Sequence, residues 1–131
     1  MSVEFADTNV VLYLLEDSPK ADRAETILQT GPRISVQVLN ETLVNCRRKA
    51  KLGWEETGIF LAGVRSLCPV ENLSLQTYEV GRALAERYGL SIYDAMIVAS
   101  ALLAGCTTLW SEDMQDGLVV EGQLRIVNPF S

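Results

Sequence analysis

The sequence predicts an α/β fold, a single domain over residues 1–131 with a mainly parallel β-sheet flanked by helices on both faces. Two observations carry that expectation. Short apolar segments alternate along the chain with longer helical patterns, which is the arrangement of βαβ units. The ends of those patterns are also regularly marked: Ser18-Pro19, Ser74 and Ser91 open helical stretches, and Gly53, Gly89 and Gly105 close them. No internal repeat, low-complexity tract or linker marks a boundary.

Val3–Ala6 is the first strand, and Asp7 stands where it stops. Val10, Val11, Leu12, Leu14 and Leu15 then begin an apolar helical stretch. A second helix follows Ser18 and runs to about Gln29, stopped by Thr30-Gly31-Pro32. Arg33–Val36 reads as a short strand leading into a helix from about Gln37 to Lys51, with a core stripe of Val36, Leu39, Leu43 and Ala50. Trp54–Ser66 is helical and Leu67–Val70 is a strand. Helices from Leu75 to Tyr88 and from Ser91 to Ala104 come next. Thr107–Trp110 is a strand, Ser111–Gly117 a polar loop, and Leu118–Val120 and Leu124–Val127 are late strands.

Composition narrows the chemistry. Hydrophobic residues make up 48% of the chain and charged residues 21%, the balance of a globular domain with a real core. Met1-Ser2-Val3-Glu4 has no signal-peptide character, and Ala95–Ala104 is far too short to cross a membrane. Cys46, Cys68 and Cys106 are odd in number and widely spaced, which fits a reducing cytoplasm and buried thiols. The chain has 0 histidines, so it has no Ser–His or Cys–His triad and no imidazole base. Its net charge of −6 counts against a nucleic-acid binder, unless several acids form one metal cluster that reverses the local field.

Four acids occupy corresponding places. Asp7 and Asp113 follow strands, and Glu41 and Asp94 lie in the opening turns of helices. In a doubly wound sheet these positions converge at the carboxyl edge of the strands. Each has a plain structural alternative. Asp7 or Thr8 is a good helix cap, Glu41 an ordinary helix glutamate, and Ser91-x-x-Asp94 a capping box. Asp116-Gly117 is a turn dipeptide, which leaves Asp113 as the ligand in that loop. Asp94, however, sits in a helix that is apolar almost all round, where an ionised acid is costly unless paired or metal-bound. Four carboxylates in one cleft call for divalent cations between them. Mg²⁺ or Mn²⁺ accepts such oxygen ligands and supports phosphodiester hydrolysis.

Asp7-Thr8-Asn9 with the apolar run after it, Ser35-Val36-Gln37-Val38-Leu39-Asn40-Glu41, Tyr93-Asp94-Ala95-Met96-Ile97-Val98-Ala99-Ser100-Ala101 and Ser111-Glu112-Asp113 resemble, in order, the successive motifs of the PIN domain. A chain of this length most resembles the toxin of a virulence-associated protein BC-type toxin–antitoxin pair. The resemblance implies Mg²⁺- or Mn²⁺-dependent RNA cleavage, a homodimer and inhibition by a cognate antitoxin protein. Carried over by residue, it implies a catalytic set of Asp7, Glu41, Asp94 and Asp113, with Asp7, Asp94 and Asp113 on the metal. Asp116, Thr8, Asn9 and Ser111 are accessory positions. Ser111 stands where the motif commonly has Thr, and Glu112 adds an acid without an assigned role.

An RNA substrate also needs cations near the cleft. Arg48, at i+7 from Glu41, lies on the same helix face and is the candidate phosphate contact. Trp54 and Trp110 read as core or interface residues rather than base-stacking platforms. Two other readings compete with the nuclease. One is a catalytically silent RNA- or protein-binding module on the same fold. The other is a metal-dependent phosphatase, which would require an acid where Asn9 stands.

Overall fold

The computed structural model describes residues 3–131. Met1 and Ser2, which open the stretch read as lacking signal-peptide character, lie outside the described residues. The strands are β1 (Glu4–Ala6), β2 (Ile34–Ser35), β3 (Val70–Glu71), β4 (Thr108–Trp110), β5 (Val119–Val120) and β6 (Leu124–Val127). The helices are α1 (Thr8–Leu12), α2 (Pro19–Leu28), α3 (Val36–Arg48), α4 (Trp54–Leu67), α5 (Leu75–Tyr88) and α6 (Ile92–Leu103), with a 3-10 turn at Tyr13–Leu15.

Four strands form a sheet in the order β1-β4-β6-β5, and β2 and β3 form a parallel pair. A parallel bridge between Phe5 and Arg33 joins the two, through Ala6 N–H to Arg33 C=O at 2.9 Å and Arg33 N–H to Glu4 C=O at 2.8 Å. β1, β4 and β6 run parallel, so their carboxyl ends fall on one edge. Only β5, paired antiparallel with β6, departs from the parallel pattern.

Successive strand residues point to opposite faces. Phe5 and Ala6 are both 0% exposed, so helices cover β1 on both sides. The core gathers Phe5, Val10, Ile34, Val38, Ile97, Val98, Leu109, Leu124 and Ile126. Cys46, Cys68 and Cys106 are free thiols buried within the fold. Burial pushes the Cys68 and Cys106 thiols up to about 11, so they pack as small apolar groups. Among the described residues, no helix is long and apolar enough to cross a membrane.

Several boundaries move from their predicted places, each for a local reason. The first helix starts at Thr8 because Asp7 itself is the N-cap, accepting from Thr8 N–H. Thr8, the other candidate, is the first residue of the helix. Ser35 caps α3 by accepting from Val38 N–H, which ends β2 before Val36 and draws Val36 into the helix. α4 continues to Leu67, shifting β3 to Val70–Glu71. The core stripe of α3 is Val38, Thr42 and Cys46, not Val36, Leu39, Leu43 and Ala50. Leu39 only packs against the core from its flank, and Ala50 is exposed. Small residues on the inner face let α3 lie close to its neighbours, whereas the larger apolar side chains sit at its margins.

The α6 helix is buried at Ala95 and from Ile97 to Ala101, but its first turn is open, with Ile92 41% and Tyr93 65% exposed. Only half of the expected capping box forms: Ser91 Oγ accepts from Asp94 N–H at 3.2 Å, while the carboxylate makes no return bond to the Ser91 amide among the described contacts. Trp54 is not a core residue. It is 65% exposed, with the Arg47 guanidinium 4.4 Å from its ring centroid. Trp110 is half-buried, and its indole N–H donates to Glu4 Oε1 at 2.9 Å.

Candidate active site: an acidic cleft at the carboxyl edge of the sheet

The parallel register of β1 and β4 continues one residue beyond the strands. Asp7 N–H donates to Trp110 C=O at 2.9 Å, and Ser111 N–H donates to Val127 C=O at 3.0 Å. Asp7 and Ser111 therefore stand side by side where the chain leaves the sheet. Asp7 is only 3% exposed, and three donors serve its carboxylate. Thr8 N–H reaches Oδ1 at 2.7 Å, and Ser111 Oγ and Asn9 Nδ2 reach Oδ2 at 2.7 and 3.2 Å. Burial still raises its pKa from 3.8 to about 6, against the lowering by Ser111 and Thr8 and with smaller contributions from Asp94 and Glu41.

Asn9 links the first motif to the last. Its Nδ2 also donates to Asp113 Oδ2 at 3.1 Å, and its Oδ1 accepts from Glu112 N–H at 3.1 Å. The backbone donor settles the orientation of the amide, because only its NH₂ end can face two carboxylates. Glu41 is fixed from both sides: Thr8 Oγ1 donates to Oε1 at 3.1 Å and Gln37 Nε2 to Oε2 at 2.8 Å. Asp94, in the first turn of α6, is half-buried. Burial raises its pKa first, followed by the charges of Glu41 and Asp113.

The cleft so formed has a volume of about 340 Å³, and Asp7, Glu41, Asp94 and Asp113 all line it. Thr8 and Asn9 line it as well, and Ser111 lies buried behind Asp7. Asp116 lies elsewhere. Its Oδ1 accepts from Asn128 N–H at 2.9 Å, a turn contact that holds the C-terminal segment. Arg48 lines an adjoining groove of about 610 Å³, which shares Glu41, Asn45 and Asp94 with the acidic cleft.

Sequence reasoning chose Arg48 over its neighbour Lys49 and missed Tyr13 and Lys20. Lys49 lines the cleft, at i+4 from Asn45, itself i+4 from Glu41; that helical spacing was a usable signal. Tyr13 and Lys20 carried none. They meet Glu112, whose Oε1 accepts from Tyr13 Oη at 2.5 Å and whose Oε2 accepts from Lys20 Nζ at 2.7 Å. Those two hydrogen bonds, Lys20's first, lower the Glu112 pKa.

The donor set suits a hard divalent cation. Every strong ligand is an oxygen, and the pKa values of Asp7 and Asp94 are raised, first by burial and then by the neighbouring carboxylates, which a cation would offset. Among the described residues, no three acidic, cysteine or histidine side chains are gathered at the spacing of a finished metal site. The Asn9 amide holds Asp7 and Asp113 together instead.

A parallel-sheet domain with an all-oxygen acidic cleft at its carboxyl edge defines the class. Within it, the chain belongs to the PIN domain family, which matches residues 5–115. Solved structures of similar fold include a toxin–antitoxin complex from Klebsiella pneumoniae, 26% identical, with 98% of each chain covered and a TM-score of 0.72. DNA-bound VapBC from Salmonella typhimurium is 22% identical, covering 96% of this chain and 97% of that one with a TM-score of 0.71. VapC20 of Mycobacterium tuberculosis, a sarcin–ricin loop cleaving toxin, is 20% identical over 84% of this chain and 89% of its own, at a TM-score of 0.68. At those lower identities the last two speak for the fold alone. No curated protein matches the chain at a significant level.

Proposed function

We propose that this protein is a Mg²⁺- or Mn²⁺-dependent endoribonuclease, the toxin of a toxin–antitoxin pair. The observation that carries the reading is the cleft itself. Four carboxylates from distant parts of the chain line it, and burial raises the pKa values of two of them, Asp7 and Asp94. Natural folds seldom gather such charge without a use for it. Asp7, Asp94 and Asp113 are the proposed metal ligands.

When bound, the ion supplies an activated water and neutralises charge on the phosphodiester. The chain's own residues supply the positioning. Ser111 and Thr8 fix the Asp7 carboxylate through hydrogen bonds. Thr8 and Gln37 fix Glu41, the proposed proton acceptor at the cleft wall. Lys49 in the cleft and Arg48 in the adjoining groove are the nearby cations for substrate phosphates. The likeness to the toxin–antitoxin complex from Klebsiella pneumoniae supports a cognate antitoxin as partner.

Purified protein should cleave RNA in Mg²⁺ or Mn²⁺ and stop in EDTA. Asp7→Asn and Asp94→Asn should each abolish turnover. Wild-type rates from Asp94→Asn would remove that residue from the set, and RNA binding without turnover under every metal condition would favour the silent module.

A further inference from the structure

The loop that carries Asp113 is tied down by a contact that none of the four acids makes. Glu112, directly before Asp113, lines the cleft as well, together with Tyr13. Its two carboxylate oxygens are taken separately, Oε1 by Tyr13 Oη and Oε2 by Lys20 Nζ. Lys20 also donates to Tyr13 Oη at 3.3 Å, so the three groups close a ring of hydrogen bonds. Phe130 supports it from outside, with its ring centroid 4.7 Å from that of Tyr13 and 5.9 Å from Lys20 Nζ. The contact joins segments 92 and 99 positions apart.

The backbone of the same residue does a second thing. Glu112 N–H donates to Asn9 Oδ1, and Asn9 Nδ2 then bridges Asp7 Oδ2 and Asp113 Oδ2. One residue thus anchors the loop through its side chain and orients the bridging amide through its main chain. Ser111 holds the same loop from the sheet side, through its N–H to Val127 C=O and its Oγ to Asp7 and Met114 N–H, and the Glu112 side chain is the hold on the other side, where the Glu112 amide meets Asn9.

We propose that Glu112, held by Tyr13 and Lys20, is a positioning residue that sets Asp113 against Asp7 through Asn9. The inference deepens the metal-site reading above and rests on it for its functional meaning, although the clamp itself exists in the metal-free protein. Partners that orient metal ligands from behind typically change metal affinity 10- to 100-fold when removed.

Charge alone and the clamp make opposite predictions for Lys20, and this provides the test. Removing a cation from the rim should tighten Mn²⁺ binding if only Coulomb attraction matters. If the clamp matters, Lys20→Met and the charge-neutral Tyr13→Phe should both weaken Mn²⁺ binding, measured by calorimetry, several-fold, and Glu112→Ala about ten-fold. A second readout needs no metal. The Asn9 side-chain NH₂ resonances of the metal-free protein should shift in Glu112→Ala towards those of a solvent-exposed asparagine, with the fold intact by circular dichroism. Unchanged Asn9 resonances in Glu112→Ala, or tighter Mn²⁺ binding in Lys20→Met, would overturn the proposal. Failure of the wild type to bind Mn²⁺ would instead overturn the metal reading, and the Asn9 resonances would still decide the clamp.

Discussion

Ser111 Oγ lies 2.7 Å from Asp7 Oδ2, although the two residues are 104 positions apart in the chain. The hydroxyl donates to the carboxylate and, as an acceptor, takes Met114 N–H at 3.2 Å. It therefore satisfies a buried acid and a buried backbone donor at once. The contact exists because β1 and β4 are parallel neighbours that end at the same level.

Ser111→Ala should therefore destabilise the protein by about 1–3 kcal/mol, the usual cost of leaving buried partners unmade. It should also raise the Asp7 pKa further, because the Ser111 bond is the largest influence lowering it. Urea denaturation at neutral pH measures the first effect. A loss below about 0.5 kcal/mol would show that the bond contributes little net stability.

The pH dependence of Asp7 has a definite sign. Its pKa rises from 3.8 in the unfolded chain to about 6 in the fold. Between those values the native state keeps a proton that the unfolded state has lost, so stability falls as pH rises through the window. The contribution is fully present below the lower value and gone above the upper one, a change of about 3 kcal/mol. In EDTA, Asp7→Asn should match the wild type near pH 4 and exceed its stability at pH 8. Adding Mn²⁺ at pH 8 should narrow that gap by stabilising the wild type alone. A stability difference that does not vary with pH would contradict the burial of this charge.

Gly81 on α5 faces Met96 on α6. A Cβ added there would lie 2.0 Å from Met96 Cε and 3.3 Å from Ala95 C=O. Met96 can swing aside, but the α6 backbone cannot. Gly81→Val should cost about 1–3 kcal/mol through overpacking. The loss should be smaller in a Met96→Ala background, where the first obstacle is gone. Equal losses in both backgrounds would place the clash elsewhere.

Some of this was legible in the sequence and some was not, for physical reasons. Ser18, Ser74 and Ser91 mark helix starts because capping is local chemistry. The meeting of Asp7, Glu41, Asp94 and Asp113 was also readable, since strand order and helix starts fix a common edge. The inner face of α3 was misread because Thr42 and Cys46 are small and carry little apolar weight in a periodicity count. Of Asp7 and Thr8, the two caps the sequence offered for α1, it is Asp7 that serves, so one carboxylate both caps the helix and lines the cleft. The ring of Tyr13, Lys20 and Glu112 had no sequence signal at all. Its members meet only because the 3-10 turn and α2 fold over the loop after β4.

The pairing of β1 with β4 also bears on synthesis. Translation delivers Glu4–Ala6 before its parallel partner Thr108–Trp110, with β2, β3 and the helices α1 to α6 made in between. Until then the first strand has one neighbouring bridge, at Arg33, and Asp7 lacks both Trp110 C=O and the Ser111 hydroxyl. Long-range pairing of this kind closes late, because the ends of a long loop must meet before any contact rewards them. The nascent polypeptide is thus incapable of assembling its acidic cleft beside the ribosome until β4 has emerged, so any activity of that cleft begins only after synthesis has passed that strand.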